Sequence, residues 1–591
     1  MHKSKIKGKR HLLVLFMLVI FLLSGCGDAG QKARKPPGDF SRGLPLSAEA
    51  VSPPAAAVSP DGDLIRVVIP TRVGDSTPIF SYIQIDQEGR IVLNQALELS
   101  LAPYIRSPKV VEIGEDLHLV WAARESTKQG WELWHAIINP EAQVTSAPQL
   151  ISDGTERVSQ FEISGGYNGD LVVVWEDSQS FSIHLTRISE GGTIISEPEM
   201  VITQGELPAL IGDEDALHIA WMQGDVLLYE QINSKTSFPL EGVELTKIQV
   251  AVGNRLDGPV IGVTNNHVFL FWSILRQVGL EAGTAITESL VFPRGEPSQT
   301  QRGLIPIFPV SEDFLLPYQG SLSLSQVIPA PPEDYMSTDF ILNPSTLVSP
   351  SNGVLAVAVS ATQDIRLDSH IQIAVGIFEG GVYQGYTVGT RTTEISQNPF
   401  IALDADGNLH LIWQEGSSGN RIYYATTAPE AKGRLDRVGL ADIPNLILSG
   451  GLEALTGIML FPFAFPWMAI GLVIMIVLRL ARNDEDVTQP LSKALLALAL
   501  LSYQVSKLLF LPDMLVYIPF SAWLDIPEGV GMFLRVAVPI IIIILGVGAA
   551  EWRRRRRGDS PTSSLGYYVT VVIIDTLLTL SVYGVIFLGE Y

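Results

Sequence analysis

The octapeptides Gly114–Trp121 (GEDLHLVW), Asn168–Trp175 (NGDLVVVW) and Asp406–Trp413 (DGNLHLIW) decide the fold of this chain. In each, a turn rich in Asp, Asn or Gly leads into an apolar strand that ends in Trp, and two further copies end at Trp221 and Trp272. Weaker copies end at Val68, Tyr318 and Val359, so the pattern recurs eight times between Ala55 and Ala428, at intervals of 41–54 residues. A period near 50 residues built of short strands predicts an all-β propeller.

Each copy continues into a second strand with alternating polar and apolar residues, as in 131–138, 225–232 and 421–428. Asp-Gly and Asn-Gly pairs between these strands supply the positive φ that tight hairpins require. Three or four antiparallel strands in each period make one blade, and stacking the blades in a ring buries both faces of each sheet. Eight repeats are the main count, and seven blades result if one weak copy is only an insertion.

The repeated tryptophans hold one position in the pattern, which favours packing between blades over contact with a single ligand. His118, His218 and His410 lie three residues before the aromatic residue, where other copies have apolar side chains. No cluster of His, Asp or Glu has the spacing of a zinc site. The sequence therefore assigns no metal ligand, no cofactor-binding residue and no cofactor.

The repeat region, about 370 residues long, resembles the sialidase-like, BNR-type propellers, in which D-x-x-G turns precede a strand that ends in Trp. In this chain Asp404-Ala-Asp-Gly407 comes six residues before Trp413, whereas the residues of the Asp box in those families are closely spaced. For a sialidase the resemblance implies six blades, an arginine triad and a Tyr/Glu pair. Eight copies argue against six blades, and no triad maps onto this sequence, so no catalytic residue is assigned.

The N-terminus has the pattern of an export signal. Basic residues between Lys3 and Arg10 precede the apolar run 12–23, and the sequence that ends at Cys26 resembles the bacterial lipobox. The resemblance implies that 1–25 is a signal peptide and that Cys26, the only cysteine, is diacylated; an ordinary signal or an uncleaved anchor is the alternative. Residues 26–54 are expected to form a flexible tether to a propeller at 55–435.

The composition turns apolar after Gly439, which predicts a helical membrane domain at 440–591. Runs at about 462–481, 492–512, 531–550 and 566–588 are each long enough to span a bilayer. The preceding run, 444–460, is expected to form an interfacial or re-entrant helix, and it becomes a fifth span only if the basic loop lies outside.

The charges of the loops predict the orientation of the spans. One loop has Arg479, Arg482 and Lys493, and another has Arg553, Arg554, Arg555, Arg556 and Arg557, whereas the loop between spans two and three is acidic. By the positive-inside rule the basic loops face the cytoplasm. The sequence thus predicts a multi-pass protein of the bacterial cell membrane with its propeller on the extracytoplasmic side.

Three charged residues fall inside the predicted spans: Asp575 near the middle of the fourth, Lys507 in the second and Arg535 in the third. Intramembrane charges are costly and often functional. We expect Asp575 to face the interior of the bundle and to pair with Lys507 or Arg535. The pair is interpreted as a staple between helices, with a proton or ion relay as the alternative.

The net charge of −22, without long runs of Lys and Arg in the repeats, argues against binding to nucleic acid. The leading interpretation is a membrane-anchored extracytoplasmic propeller that contacts membrane lipid and binds a ligand, a glycan or a protein partner without catalysis.

Two other functions stay open. An extracellular sialidase-like glycoside hydrolase needs two carboxylates, or a Tyr and a carboxylate, that face each other across the channel, with candidates Glu115, Asp116, Glu176, Asp177 and Glu415. Alternatively, the membrane bundle has an ion or signal role that the propeller regulates.

Overall fold

The structure is a computed structural model of the 591-residue chain. It describes residues 38–584 except for 48, 60, 73–76, 100, 153–156, 167, 214, 234–235, 281, 308–314, 330–340, 350–352, 366–367, 391, 393, 417–420, 438–450, 452–453, 456, 483–485, 516, 520–527 and 557–562. The predicted signal peptide, Cys26, Arg557 and most of the expected interfacial helix therefore lie outside the described residues. The chain divides into two compact units, 36–365 with 369–437, and 438–591.

The first unit consists of seven antiparallel sheets, each of which is one blade. Blades I to III are built of β2–β5 (Ala55–Val58, Leu64–Thr71, Ile79–Asp86, Ile91–Ala96), β6–β9 (Tyr104–Ile113, Asp116–Arg124, Glu132–Ile138, Gln149–Leu150) and β10–β13 (Val158–Gly165, Leu171–Asp177, Ser182–Ile188, Ile194–Ile202). Blades IV and V are built of β14–β17 (Glu206–Gly212, Leu217–Gln223, Val226–Ile232, Val243–Lys247) and β18–β21 (Arg255–Val263, His267–Leu275, Ala285–Pro293, Gln301–Leu304).

The last two blades depart from the simple four-strand order. Blade VI contains β24–β27 (Ile341–Ser349, Val354–Ile365, Asp368–Glu379, Val382–Val388), and β23 (Gln326–Pro329) and β22 (Leu316–Pro317) extend its outer edge. Blade VII contains β28–β30 (Ser396–Leu403, Leu409–Glu415, Arg421–Thr426) and, at its outer edge, β1 (Leu44–Ser47). A short helix, α1 (Pro429–Leu435), follows.

The innermost strands β2, β6, β10, β14, β18, β24 and β28 contact one another in a closed ring, in which β28 meets β2. The chain is therefore a seven-bladed propeller. The alternative count of seven is confirmed and the main count of eight is wrong, because the copy that ends at Tyr318 supplies only the edge strand β22. This two-residue strand pairs with β23 and through it with β27, so it adds to blade VI instead of starting a blade.

The ring is closed by the start of the propeller unit. Strand β1 pairs with β30, with Leu44 opposite Tyr424, and Phe40 just before it is fully buried in the core between blades VI and VII. The expected boundary at residue 55 is therefore too late, and the tether expected at 26–54 does not extend to 54. The stretch LPLS at 44–47 is too short, and too unlike the repeat, to be recognised as a strand from the sequence.

The prediction that the repeated tryptophans pack between blades is confirmed. Each is at most 2 % exposed and lies in a core shared with the preceding blade. Trp121, for example, meets Phe80 of blade I edge-to-face, with ring centroids 5.5 Å apart. The shared cores explain why one position of every strong repeat carries a large aromatic ring.

The repeated histidines are buried and hydrogen-bonded. His218 lies between Asp213 Oδ2 (2.9 Å) and the hydroxyl of Tyr229 (2.6 Å). His410 is held in the same way by Asp404 Oδ2 (3.1 Å) and Tyr424 (2.8 Å). These Asp–His–Tyr chains link a turn to two strands of one blade, which gives the histidines a structural role.

The second unit contains four long helices, α2 (Phe465–Arg482), α3 (Pro490–Phe510), α4 (Glu528–Arg556) and α5 (Ser564–Tyr583). Short 3-10 helices at Phe461–Ala464 and Pro512–Leu515 lie beside α2 and α3. By length and composition all four helices are apolar enough to cross a membrane. Many of their outward side chains, such as Leu480, Leu509 and Phe533, are exposed, as expected of surfaces that face lipid.

We expect the N-terminal strand to be essential for a stable ring. A fragment 55–437 should unfold at a much lower temperature than fragment 36–437, because it leaves β30 as an unpaired edge and opens the core around Phe40. Thermal unfolding followed by tryptophan fluorescence tests this.

If the short fragment does not fold at all, the variant Phe40→Ala in the full chain gives the same information. This substitution should lower the free energy of unfolding by about 3–5 kcal/mol, as for other buried aromatic rings. Equal melting temperatures for the two fragments, or a harmless Phe40→Ala, would contradict closure by this segment.

Candidate functional site

The innermost strands of six blades carry the same irregularity near their start. Two residues of the inner strand there stand opposite one residue of the second strand. This irregularity is a β-bulge. In five blades the residue of the second strand is the one that ends the sequence repeat, such as Trp121. The bulged pairs opposite it all end in proline: Ser107-Pro108, Leu207-Pro208, Gly258-Pro259, Asn343-Pro344 and Asn398-Pro399. In blade III the pair is Ser159-Gln160, opposite Glu176.

Proline fits these bulges because the inner edge of a blade faces the channel and needs no further N–H for a ladder. The residue before the proline has positive φ at Ser107 (49°), Leu207 (54°) and Asn398 (51°). A bulge of this kind bends the strand and re-aims its side chains. Prolines that lie 13–15 residues before the repeat's last residue are a periodic signal that the sequence reasoning missed.

The bulges of blades II, III, V and VII line a cavity of about 510 Å³ in the channel, at the end where the innermost strands begin. Blades I to V and blade VII contribute to its described lining. Proline and aliphatic groups make up much of this surface, and its polar side chains are Ser107, Lys109, Gln160, Glu162, Ser164, Asp257 and Asn398. A concave surface with a few convergent polar groups is the usual form of a ligand site, so this cavity is the candidate functional site.

The two carboxylates of the described lining are both ion-paired. Glu162 Oε2 lies 2.5 Å from Lys109 Nζ, and Asp257 Oδ2 lies 3.3 Å from Arg255. Asn398 donates a hydrogen bond of 2.6 Å to Gln414 Oε1, which fixes its amide at the wall of blade VII. The cavity therefore presents oriented hydrogen-bonding groups rather than isolated acids.

The five carboxylates predicted as hydrolase candidates are absent from the described lining of this cavity. Glu115 lies in the β6–β7 turn and Asp116 begins β7, where the inner strand ends, so both are at the other end of the channel. Glu176 accepts a hydrogen bond from the backbone N–H of Leu207 (2.9 Å). Asp177 accepts bonds from the N–H groups of Arg157 and Gln179, both at 3.0 Å. Glu176 therefore holds the bulge of blade IV in place, and Asp177 holds the loops next to it.

Glu415, the fifth candidate, is 2 % exposed at the end of β29. Burial raises the pKa of its carboxyl from the usual 4.5 to about 7. Such a pKa suits general acid chemistry, but a carboxyl this deeply buried is out of a ligand's reach.

A basic and aromatic cluster, formed by Tyr104, Arg106, Arg124 and Trp131, lies on blade II, where Tyr104 and Arg106 precede the Ser107-Pro108 bulge on β6. The guanidinium carbons of Arg106 and Arg124 lie 4.3 and 4.2 Å from the centre of the Trp131 ring. Burial and the neighbouring charge of Arg124 lower the pKa of Arg106. Within the described part of the chain neither arginine forms an ion pair with a carboxylate, so the cluster keeps its positive charge.

In the second unit, called the membrane unit for its four helices apolar enough to cross a membrane, the structure brings together two of the three predicted intramembrane charges. Lys507 Nζ on α3 lies 2.6 Å from Asp575 Oδ1 on α5, and the hydroxyl of Tyr503 donates to the same oxygen at 2.6 Å. Lys507 also donates to Thr579 at 3.3 Å, and all four side chains are buried. Arg535 on α4 is not the partner of Asp575 among the described contacts.

The described part of the arginine run lies at the end of α4. Arg554 and Arg555 both contact Glu551, Arg553 donates to Thr570 (2.6 Å), and Arg556 stacks on Trp552 at 3.8 Å. Among the described residues no group of three or more His, Cys, Asp or Glu side chains could hold a metal ion.

No family model and no curated protein matches this chain. Solved structures similar to it include an α-L-arabinanase from Penicillium chrysogenum complexed with arabinobiose, 12% identical, covering 66% of this chain and 97% of that one with a TM-score of 0.35. The polysaccharide lyase Uly1 is 10% identical, covering 64% and 90%, with a TM-score of 0.41. A mutant of the NanB sialidase from Streptococcus pneumoniae is 10% identical, covering 66% and 70%, with a TM-score of 0.34.

Proteins that share a fold have many unrelated functions, so these similarities assign no function to this chain. The propeller itself is established by its seven sheets and their closed ring. The expected propeller fold is thereby confirmed, with seven blades instead of the six that the sialidase resemblance implies.

We expect Glu415→Gln to make the propeller less sensitive to high pH. Below about pH 4.5 the carboxyl is protonated in both states, so it has no effect on stability. Between pH 4.5 and 7 the unfolded chain releases the proton first, and stability falls as the pH rises. Relative to the native chain, the variant should gain up to about 3 kcal/mol between pH 4.5 and 8.

Urea unfolding at the two pH values measures this difference, and Glu199→Gln, at an exposed position of blade III, is the matched control. A gain for Glu415→Gln no larger than that of the control would show that Glu415 is ionised in the folded state.

We also expect the Lys507–Asp575 pair to act as a staple between α3 and α5. Asp575→Asn leaves a buried ammonium unpaired and should lower the free energy of unfolding by about 3–5 kcal/mol. The double variant Lys507→Met with Asp575→Leu removes both charges and should recover most of that loss. Thermal unfolding of the full chain in detergent measures both. An Asp575→Asn variant as stable as the native protein would contradict the staple.

Proposed function

We propose that this chain is a membrane-anchored propeller that binds an extracytoplasmic ligand in the bulge-lined end of its channel without catalysing a reaction. The observation that carries the proposal is the cavity of about 510 Å³, to which six blades contribute one inner strand each. Because the walls come from strands of a closed ring, the site is preorganised, and binding requires little ordering of the protein.

The state of the carboxylates favours binding over hydrolysis. A glycoside hydrolase needs one carboxyl that donates a proton and another that acts as base or nucleophile, both in reach of the substrate. Glu162 and Asp257 are ion-paired, and Glu415 lies outside the described lining. Glu162 and Asp257 line the same cavity from different blades, so they could approach a substrate from two sides. A hydrolase is therefore the second candidate.

The cluster at Tyr104, Arg106, Arg124 and Trp131 supports a glycan as the ligand. Trp131 is covered by the two guanidinium groups, but the exposed ring of Tyr104 would pack against the apolar face of a sugar ring. The guanidinium groups would donate hydrogen bonds to hydroxyl or carboxylate oxygens. Tyr104 and Arg106 lie on the strand whose Ser107-Pro108 bulge lines the cavity, in a chain whose net charge is strongly negative. A protein partner with an acidic loop would use the same donors.

The four apolar helices would anchor the propeller in the bacterial cell membrane, and diacylation of Cys26 would hold its other end. The arginine run at the end of α4 would face the cytoplasm, which leaves the propeller outside. The compact buried contacts of Asp575 support a structural role for the pair, so we do not assign an ion-conducting role to the bundle.

Binding of the full-length protein to an array of neutral and acidic glycans tests the proposal. We expect saturable binding, and we expect Arg124→Gln to weaken it at least about 10-fold, equivalent to about 1.4 kcal/mol. Arg90→Gln, which removes an exposed arginine from a blade I turn, should bind as the native protein does.

Products released from a bound glycan would favour the hydrolase. If the Arg124→Gln and Arg90→Gln variants bind glycan equally well, the cluster is not part of the binding site. Absence of binding to every glycan would leave a protein partner as the ligand and overturn the glycan assignment.

A further inference from the structure

A groove separates two helices of the membrane unit. Helices α3 and α4 each pack against α5, but in the described part of the chain they make hardly any contact with each other. Between them lies a cavity of about 340 Å³. Leu496, Ala497 and Leu500 of α3 line one side of it, and Val547 of α4 lines the other.

The polar groups of the groove are gathered at one end. Thr488, Lys493, Glu551, Arg554 and Tyr567 line that end, which is also the end of α4 that carries the arginine run. A cavity that is apolar along its length and polar at one end matches the division of a phospholipid into acyl chain and headgroup.

The charge at this end is positive. Arg554 donates two hydrogen bonds to Glu551, at 2.8 and 2.7 Å, and Arg555 adds a third at 3.1 Å, so two cations surround the one carboxylate. Lys493 is exposed, and within the described residues it forms no ion pair. The local excess of positive charge would attract an anionic group.

We propose that this groove binds one anionic phospholipid, whose phosphate contacts Lys493 and Arg554 and whose acyl chain lies against Leu496, Leu500 and Val547. The site is independent of the ligand of the propeller. A free phosphate ion would leave the apolar length of the groove unfilled.

The occupant would also fill a gap in the helix packing. Where α3 and α4 do not touch, their side chains need contacts from another apolar group, because helices in a bilayer are held together largely by close packing. A bound lipid would provide those contacts and link α3 to α4, so it should raise the thermal stability of the bundle.

The test uses the full-length protein in detergent, titrated with phosphatidylglycerol, phosphatidylcholine or inorganic phosphate. Bound lipid is counted by native mass spectrometry, and stability is followed by thermal unfolding. We expect one saturable phosphatidylglycerol molecule, at least 10-fold tighter than phosphatidylcholine, and a matching rise in melting temperature.

Two pairs of variants locate the site. Ala497→Phe fills the groove and should abolish the saturable binding, whereas Ala494→Phe places the same ring on an exposed position of α3 outside it. Lys493→Gln should reduce the preference for phosphatidylglycerol about 10-fold, whereas Arg556→Gln removes an equal charge from the arginine run outside the groove and should leave the preference intact.

The proposal fails if the two lipids bind equally, or if Ala497→Phe retains lipid as well as Ala494→Phe does. It also fails if inorganic phosphate alone gives the same stabilisation, because the site would then recognise a free anion. These outcomes do not depend on whether the propeller binds a glycan.

Discussion

Closure of the ring is the constraint on which the rest of the propeller depends. Each blade buries a face against the blade before it, so an open row of blades would leave one apolar face exposed at each end. The propeller meets this requirement by pairing its first strand, β1, with its last strand, β30, in blade VII. The buried Phe40 and the pairing of Leu44 with Tyr424 make this segment part of the core.

The closed ring also explains where a ligand site can form. Packing between blades occupies the faces of the sheets, and the tryptophans at the end of the second strands fill these interfaces. The inner edges of the strands remain free to face the channel. The inner strand carries a proline bulge opposite Trp121, Trp221, Trp272 and Trp413. The residue that packs between blades and the bulge on the channel side therefore lie next to each other in the sheet.

Much of the fold was predictable because its signals are local. Strands that end in Trp at intervals near 50 residues indicate blades, and apolar runs near 20 residues indicate spans. The copy at Tyr318 misled the count because FLLPY matches the pattern as a string, while Pro317 and the two-residue length of β22 limit it to an edge. The strand at 44–47 was missed because its partner is about 380 residues away, and a pairing at that distance leaves no local pattern.

The site was less predictable, because the groups that line a channel depend on strand register. A shift of one residue turns a side chain from the channel to a blade interface, and the bulges change the register in six blades. Nothing in the local pattern therefore distinguishes Glu162 and Asp257, whereas Glu176 and Asp177 follow Trp175 directly but accept hydrogen bonds from backbone N–H groups.

The membrane unit obeys the opposite rule. In an apolar bundle an unpaired charge is so costly that Asp575 limits its partner to a few residues, and the structure places Lys507 there at 2.6 Å. Where helices do not touch, however, apolar residues give no indication of a gap, since side chains that face lipid and side chains that face a groove are equally apolar. The spacing of charges is therefore more informative about this unit than its hydropathy. Lys493 and Arg554 mark one end of a groove that nothing in the apolar pattern of α3 and α4 would reveal.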